Sequence, residues 1–209
     1  MRPDPSIRQI GFQETDIVSV VKPLTKYAKL VTDPKTIKYE LEKAIHIAKS
    51  GRPGPVLLDL PIDLQKAEIE PSELYGYDTD LEMVFNEEKI NSQINNFVND
   101  LLDSKRPCLM IGGGVRLADA EKDILELAKK LKIPCFPTWN ALDIICSDFE
   151  YYGGRIGTYG GAGRNFGIQN SDLILAIGSR ISGRITGGDP STFARGAKKY
   201  MVDVDGPAM

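Results

Sequence analysis

Gly112, Gly113 and Gly114 follow directly on the apolar run 108–111. Glycine has no Cβ, so the backbone there can approach a pyrophosphate closely and adopt positive φ. A helix beginning soon after would point its N–H groups at the anion. A tight structural turn accounts for the same residues, because the third glycine position of the G-x-G-x-x-G fingerprint is held by Leu117. A second run of this kind is Gly178-Ser179-Arg180, with Arg184 four residues further on. Guanidinium groups at a strand end suit a phosphate bidentately; a pair of solvated surface arginines is the alternative. Asp203 and Asp205 offer either an acceptor for a ribose hydroxyl or a strand-end cap. The stretch Arg155-Ile156-Gly157-Thr158-Tyr159-Gly160-Gly161 is a long glycine-rich loop, of the kind that either wraps an extended ligand or is disordered.

Other chemistries are thinly supplied. His46 is the single histidine, which nearly excludes a Ser-His-Asp triad or a His-rich metal site. Cys108, Cys135 and Cys146 are far apart and form no CxxC pair, so they read as structural thiols of a reducing compartment. The single tryptophan, Trp139, reads as a core or interface anchor. Phe12, Gln13, Lys22 and Lys26 have no chemistry on spacing alone and read as ordinary surface.

The elements that must position these residues come from periodicity. The spacing predicts a short helix over 13–21 and a strand over 27–31. Asp33-Pro34 reads as an N-cap and first-turn proline, opening a helix that Gly51 ends. A strand follows over 56–60. Residues 62–86 show no period and read as a linker. Beyond it the pattern predicts a helix over 86–104 with Ile90, Ile94, Phe97, Val98 and Leu101 on one face, and a helix over 118–131. Strands are predicted over 108–111, 134–138, 172–177 and 200–204. Such alternation implies an α/β fold, a parallel Rossmann-like sheet with helices on both faces, preceded by a partial α/β segment. Ligands on such sheets sit at the carboxyl ends of the strands, where the glycines, Arg180 and Arg184 fall.

Composition is consistent with a globular protein: 209 residues, 42% hydrophobic, 26% charged, formal net charge −3. That balance gives no basic footprint for nucleic acid. No run of about 18 apolar residues marks a membrane span. The N-terminal MRPDPSIRQ has no apolar core of a secretory signal. A cytoplasmic protein with no nucleic-acid or membrane partner is the expectation.

The strings GFQETDIVSVVKPLTKYA, GRPGPVLLDLPIDLQ, MIGGGV, PTWNALD, RIGTYGG, NFGIQNSDLILAIGSRISGRITG and YMVDVD resemble the acetolactate synthase family of thiamine diphosphate enzymes. The resemblance runs over nearly the whole chain, with the motifs in order. Such enzymes have a pyrimidine-binding, a central and a diphosphate-binding domain. By this resemblance residues 1–61 are the C-terminal part of the first, 62–86 a linker and 87–209 the central, nucleotide-binding-like domain. Neither the thiamine-activating glutamate nor the Gly-Asp-Gly magnesium motif is found, which implies a fragment with no catalytic residue of its own.

The resemblance places Phe12, Gln13 and Lys26 near thiamine and the substrate channel. In the flavin-containing branch it implies FAD contacts from Lys22, from Gly112, Gly113 and Gly114, and from Thr138, Trp139 and Asn140. Further contacts are implied from Ile156, Gly157, Thr158, Tyr159 and Gly160. The last group is Gly178, Ser179, Arg180, Ser182, Arg184, Ile185, Asp203 and Val204. The chain departs from that branch where Leu-Gly-Met-His-Gly is Ile-Gly-Thr-Tyr-Gly at 156–160, where Phe-Asp-Asp-Arg is Ile-Ser-Gly-Arg at 181–184, and where an arginine is Lys22. The implied activity is that of a thiamine diphosphate- and Mg2+-dependent 2-oxo acid decarboxylase and carboligase, acting on pyruvate or a similar acid and assembling as a homo-oligomer, with FAD as a further cofactor. The alternative is a non-catalytic FAD- or ADP-binding or oligomerisation module.

Overall fold

The computed structural model describes residues 15–78 and 86–205. The chain divides into two compact units, within 1–84 and 85–209.

The first unit is built on two parallel strands. Helix α1 (Ile17–Val21) starts at Asp16, whose side chain accepts from the Ser19 N–H. Strand β1 (Tyr27–Leu30) follows. Asp33 accepts from the Lys35 N–H and opens a 3-10 turn, Pro34–Thr36, that leads into α2 (Ile37–Lys49). Gly51, with φ +55°, lies just past its end, in the left-handed region that such endings favour. Strand β2 (Val56–Asp59) pairs with β1, Tyr27 opposite Val56 and Leu30 opposite Asp59, and α3 (Ile62–Gln65) follows.

The buried Glu40 of α2 accepts from the Tyr27 hydroxyl at 2.5 Å. Burial, then the Glu40 carboxylate, push the Tyr27 phenol far above its usual range. Part of the expected linker folds back on α2. The Tyr75 and Tyr77 rings stand 5.4 Å from that of Tyr39, and the Tyr77 N–H donates to Glu42 Oε2 at 2.7 Å.

The second unit runs α4 (Glu87–Asp103), β3 (Pro107–Ile111), α5 (Gly114–Leu117), α6 (Glu121–Leu131), β4 (Cys135–Pro137), α7 (Ala162–Gln169), β5 (Leu173–Ile177), α8 (Gly183–Thr186) and β6 (Lys198–Val202). The four strands form one parallel sheet in the order β4-β3-β5-β6. Alternate side chains feed two cores, as the pleat requires. Leu109, Ile111, Cys135 and Leu175 face Ile124 and Ala128 of α6 and Phe97 of α4. Cys108, Met110, Phe136, Ile174 and Ala176 face Ile168 of α7, with Phe193 and Ala194. Helices therefore cover both faces, as the strand–helix alternation predicts.

Several elements differ from their sequence expectation. The helix predicted over 118–131 starts at Glu121 as α6, because Asp119 stands just before it at φ +52°; aspartate tolerates that conformation better than most residues, and the short α5 lies ahead of it where no helix is expected. The last strand starts two residues earlier than expected, because an edge strand can leave Lys198 and Lys199 in water. The apolar face of α4 is real, but Ile90, Ile94 and Val98 remain exposed and only Phe97 and Leu101 are half-buried. Helices α7 and α8, which carry glycines 163, 167 and 183, lie where no helix was expected.

Candidate functional site at the strand carboxyl ends of the second unit

The chain passes from β3 to β4 on one side, and β5 and β6 lie on the other side of β3. The ends of β3 and β5 therefore flank a topological switch point, where open α/β sheets bind ligands. Gly112 donates to Ile177 O and Gly114 to Gly178 O, both at 2.9 Å. A Cβ on Gly114 would stand 2.8 Å from Gly178 Cα, and one on Gly113 would stand 2.9 Å from Asn140 Cβ. Two of the three glycine amides thus have partners within the protein. The absence of side chains lets the strand-end loops close on one another, which supports the tight-turn reading of Gly112 and Gly114.

Around this closed centre lie the groups that face solvent. Trp139 opens the 3-10 turn Trp139–Ala141 after β4, behind the buried Thr138. Tyr159 lies in the 157–160 turn. Their ring centroids are 5.5 Å apart. Asn140 is exposed, while its carbonyl accepts from Arg116 Nη1 at 3.1 Å. Ser179 is buried, bonded to Met110 Sδ at 3.5 Å, and accepts from the Ile181 N–H. Ile181 is held at φ +45°. That is a strained conformation for a β-branched side chain, of the kind that persists where surrounding packing fixes it. Here the side chain packs on the Met110 core.

This kink turns Arg180, Ser182 and Arg184 outward, and all three are exposed. Ile185 is half-buried against the same core. The Arg184 carbonyl accepts from the Thr158 N–H and hydroxyl at 2.9 and 3.1 Å. Gly157, Thr158, Arg184 and Ile185 border a cleft of about 220 Å³ with the buried Ile156 nearby in the core.

Asp203 and Val204 lie past the end of β6; Asp203 Oδ1 accepts from the Asp205 N–H at 3.1 Å, the local geometry of a strand-end cap. Lys22 and Lys26 belong to the first unit. Lys22 is exposed. Lys26 Nζ donates to Ile47 O at 2.5 Å and to Ser50 O at 2.6 Å. It thereby satisfies carbonyls at the C-terminal end of α2, where a cation is favoured. Phe12 and Gln13 lie outside the described residues.

Two contributors were not singled out by sequence. Asn165 accepts from the Gly157 N–H at 2.9 Å and donates back to Gly157 O at 3.0 Å. Arg116 ties the 139–143 segment to α5 through Asn140 O and, at 2.5 Å, Asp143 Oδ1. Neither has a spacing signal: each reaches a loop that comes near only in the folded sheet.

The site thus offers a rigid floor, exposed aromatic rings and exposed guanidinium groups, a set that fits a planar-ringed, phosphate-bearing ligand. The family described as "Thiamine pyrophosphate enzyme, central domain" matches residues 94–209. The chain belongs to this thiamine pyrophosphate enzyme family. It is 38% identical over 204 residues to the acetolactate synthase large subunit of Corynebacterium glutamicum, covering 93% of this chain and 31% of that protein. It is 32% identical over 203 residues to the acetolactate synthase isozyme 2 large subunit of Escherichia coli K12, covering 96% of this chain and 36% of the relative. It is 33% identical over 211 residues to the glyoxylate carboligase of Escherichia coli O157:H7, covering 97% and 34%. The chain spans about a third of the length of these relatives. No helix among the described residues is long and apolar enough to cross a membrane.

Proposed function

We propose that the chain is the part of a thiamine diphosphate-dependent 2-oxo acid decarboxylase and carboligase that joins the end of a pyrimidine-binding domain, residues 1–61, to a central domain, 87–209. Its second unit holds a nucleotide, FAD or ADP, across the strand carboxyl ends. The observation that carries the nucleotide reading is the combination of exposed Arg180 and Arg184 with the exposed Trp139 and Tyr159 rings at a topological switch point. Likeness to acetolactate synthases and a carboligase supports the reaction class and a pyruvate-like 2-oxo acid as substrate. Thiamine diphosphate, held with Mg2+, supplies the carbanion chemistry of that class.

In this reading the chain's own residues bind and orient. Arg180 and Arg184 meet phosphate charge, and the close-packed glycine loops hold the strand ends together. The chain alone has no carboligase activity. The test has two parts. A pyruvate-to-acetolactate assay on the chain alone should read zero, and acetolactate formed by the chain alone would overturn this part of the reading. A visible spectrum of the supernatant after denaturation reads the nucleotide: a released flavin assigns FAD, and released adenine absorbance without flavin assigns ADP.

A second reading is an assembly module for a homo-oligomer. The exposed row Ile90, Ile94, Val98 and Leu102 on α4 favours it, because such a row leaves apolar area in water. Light scattering that shows a monomer at high concentration would remove it.

A further inference from the structure

Tyr39, Glu42, Lys43 and His46 fall at helical spacing along α2 and share one face of it. Tyr39 is steadied from within the first unit. Lys43 Nζ lies 5.1 Å from the Tyr27 ring centroid and 5.5 Å from that of Tyr39, and the Tyr27 hydroxyl is fixed on the buried Glu40. The face is therefore an ordered seat. On it, Tyr39 meets Tyr75 at an interplanar angle of 45° and Tyr77 at 75°, and the His46 ring centroid lies 5.6 Å from that of Tyr77. The Tyr77 N–H donates to Glu42, and a Cβ on Gly76 would stand 2.6 Å from Glu42 Oε2, so glycine leaves room for the carboxylate. Upstream the attachment changes in kind. The N–H groups of Lys66, Ala67, Glu73 and Leu74 donate to the carbonyls of Ile62, Leu64, Glu70 and Pro71, all within α3 and the segment itself. Residues 68–73 are exposed, and Tyr75 is 56% exposed. Ring contacts and a charged hydrogen bond at one end of an exposed stretch place a segment at the low-stability end of a fold, where it opens while the rest stays folded.

We infer that residues 71–77 are a releasable strap, closed on the Tyr39–His46 face of α2, whose opening changes the length of chain free between the two units. Tyr77 is the pin, with its ring on Tyr39 and His46 and its N–H on Glu42. Closed, the chain leaves its seat on the first unit at Tyr77. Open, it leaves at the end of α3, roughly ten residues earlier, which adds up to about 35 Å of reach. The strap and its seat both lie within the first unit, and none of these residues takes part in the nucleotide reading of the second.

Because His46 is the only histidine, its carbon-bound imidazole protons give a single NMR reporter of the Tyr77 ring beside it. The full 209-residue chain is compared with Tyr77→Ala, Tyr77→Phe and Gly76→Ala. A glutamate-specific protease, cutting after Glu68, Glu70 and Glu73, reads opening, and small-angle X-ray scattering reads the largest dimension. Tyr77→Ala should move the imidazole resonances to free-histidine positions and speed cleavage at these glutamates by about tenfold or more, as expected for loss of two ring contacts. It should also lengthen the largest dimension, with an unchanged far-UV circular dichroism spectrum. Tyr77→Phe keeps the ring and should match the parent chain. Gly76→Ala displaces the Glu42 carboxylate and should fall between. Cleavage and resonances unaltered in Tyr77→Ala overturn the strap. Helix lost from the far-UV spectrum of Tyr77→Ala also overturns it, because 71–77 would then be inseparable from the fold of α2. Faster cleavage with an unaltered largest dimension overturns its role in setting the reach between the units.

Discussion

Gly112 and Gly178 are packed backbone to backbone, so closely that a Cβ on Gly112 would lie 2.1 Å from the Gly178 carbonyl oxygen. The relationship is mutual. Gly178 adopts φ +62°, and a Cβ on it would lie 2.6 Å from the Val115 nitrogen. The loops after β3 and β5 are thus locked together at the point where the strand order reverses. The glycines there are required by the fold before any ligand is considered.

Gly112→Ala should therefore destabilise the second unit by at least about 1–3 kcal/mol, the usual cost of forcing extra volume into a packed site. The clash is with backbone, which cannot rotate away as a side chain can. Gly163→Ala is the control. Nothing lies within 4 Å of a Cβ there, and it sits within α7. It should stabilise by about 0.5–1 kcal/mol. Urea unfolding of both variants tests this; equal midpoints would show that the strand-end loops are not locked.

Asn165→Ala should loosen the turn that carries Tyr159. It removes the acceptor for the Gly157 N–H and one donor to Gly157 O. The expected loss is about 1–3 kcal/mol, because the part-buried Gly157 N–H is left without a partner, while Gly157 O keeps the Gly160 N–H. Asn165→Asp keeps the acceptor and should fall between. The near-UV circular dichroism of Trp139, which the Tyr159 ring touches, should change in Asn165→Ala. An unchanged spectrum and midpoint would show that the turn holds without this side chain.

The three thiols should separate cleanly in a thiol-reagent assay. Burial pushes Cys108 up to about 11, with the Asp172 charge adding to it against a Ser171 hydrogen bond. Burial and the neighbouring Cys108 take Cys135 to about 12. Cys146 is exposed. Since the thiolate is the reacting species, the native chain at pH 8 should react quickly at Cys146 alone, and Cys146→Ser should abolish that phase. Cys108 and Cys135 should react only on denaturation. Rapid labelling of either in the native chain would mean that the sheet opens readily.

The alternation of apolar runs and amphipathic helices was enough to read the parallel sheet and its two covered faces, because short buried strands such as 107–111 and 173–177 have few polar residues to obscure them. The glycine and arginine positions at the strand ends were legible for the same reason. What was not legible depended on tertiary partners. Helix α7 carries Gly163 and Gly167, which lower helix propensity, and it is held in place by Ile168 in the core. The depth of α4 could not be read from its period, since Ile94 and Phe97 share one face yet only Phe97 meets Tyr200, at 5.3 Å. Lys26 was read as surface on spacing alone, because the carbonyls it caps lie more than twenty residues away.

Asp172 should give the second unit an acid-sensitive joint. Burial would raise its carboxyl. The Ser104 hydroxyl, the Lys105 and Arg106 N–H groups and the Arg106 charge more than offset this and hold it at about 2, against an ordinary 3.8. A carboxyl lowered on folding stabilises the folded state fully above its unfolded pKa, where both states are ionised. As pH falls through 3.8 towards 2 the unfolded chain takes up the proton first, so that contribution is lost. Asp100 acts in the same direction, held low by Lys198 and Tyr200. The urea midpoint should therefore be flat above about pH 5 on this account and fall steeply between pH 4 and pH 2. Asp172→Asn should be less stable at pH 7, because the Lys105 and Arg106 amides lose a charged acceptor, the stronger kind of partner. It should also show a shallower fall below pH 4. An Asp172→Asn chain with the wild-type acid profile would place the acid-labile contact elsewhere.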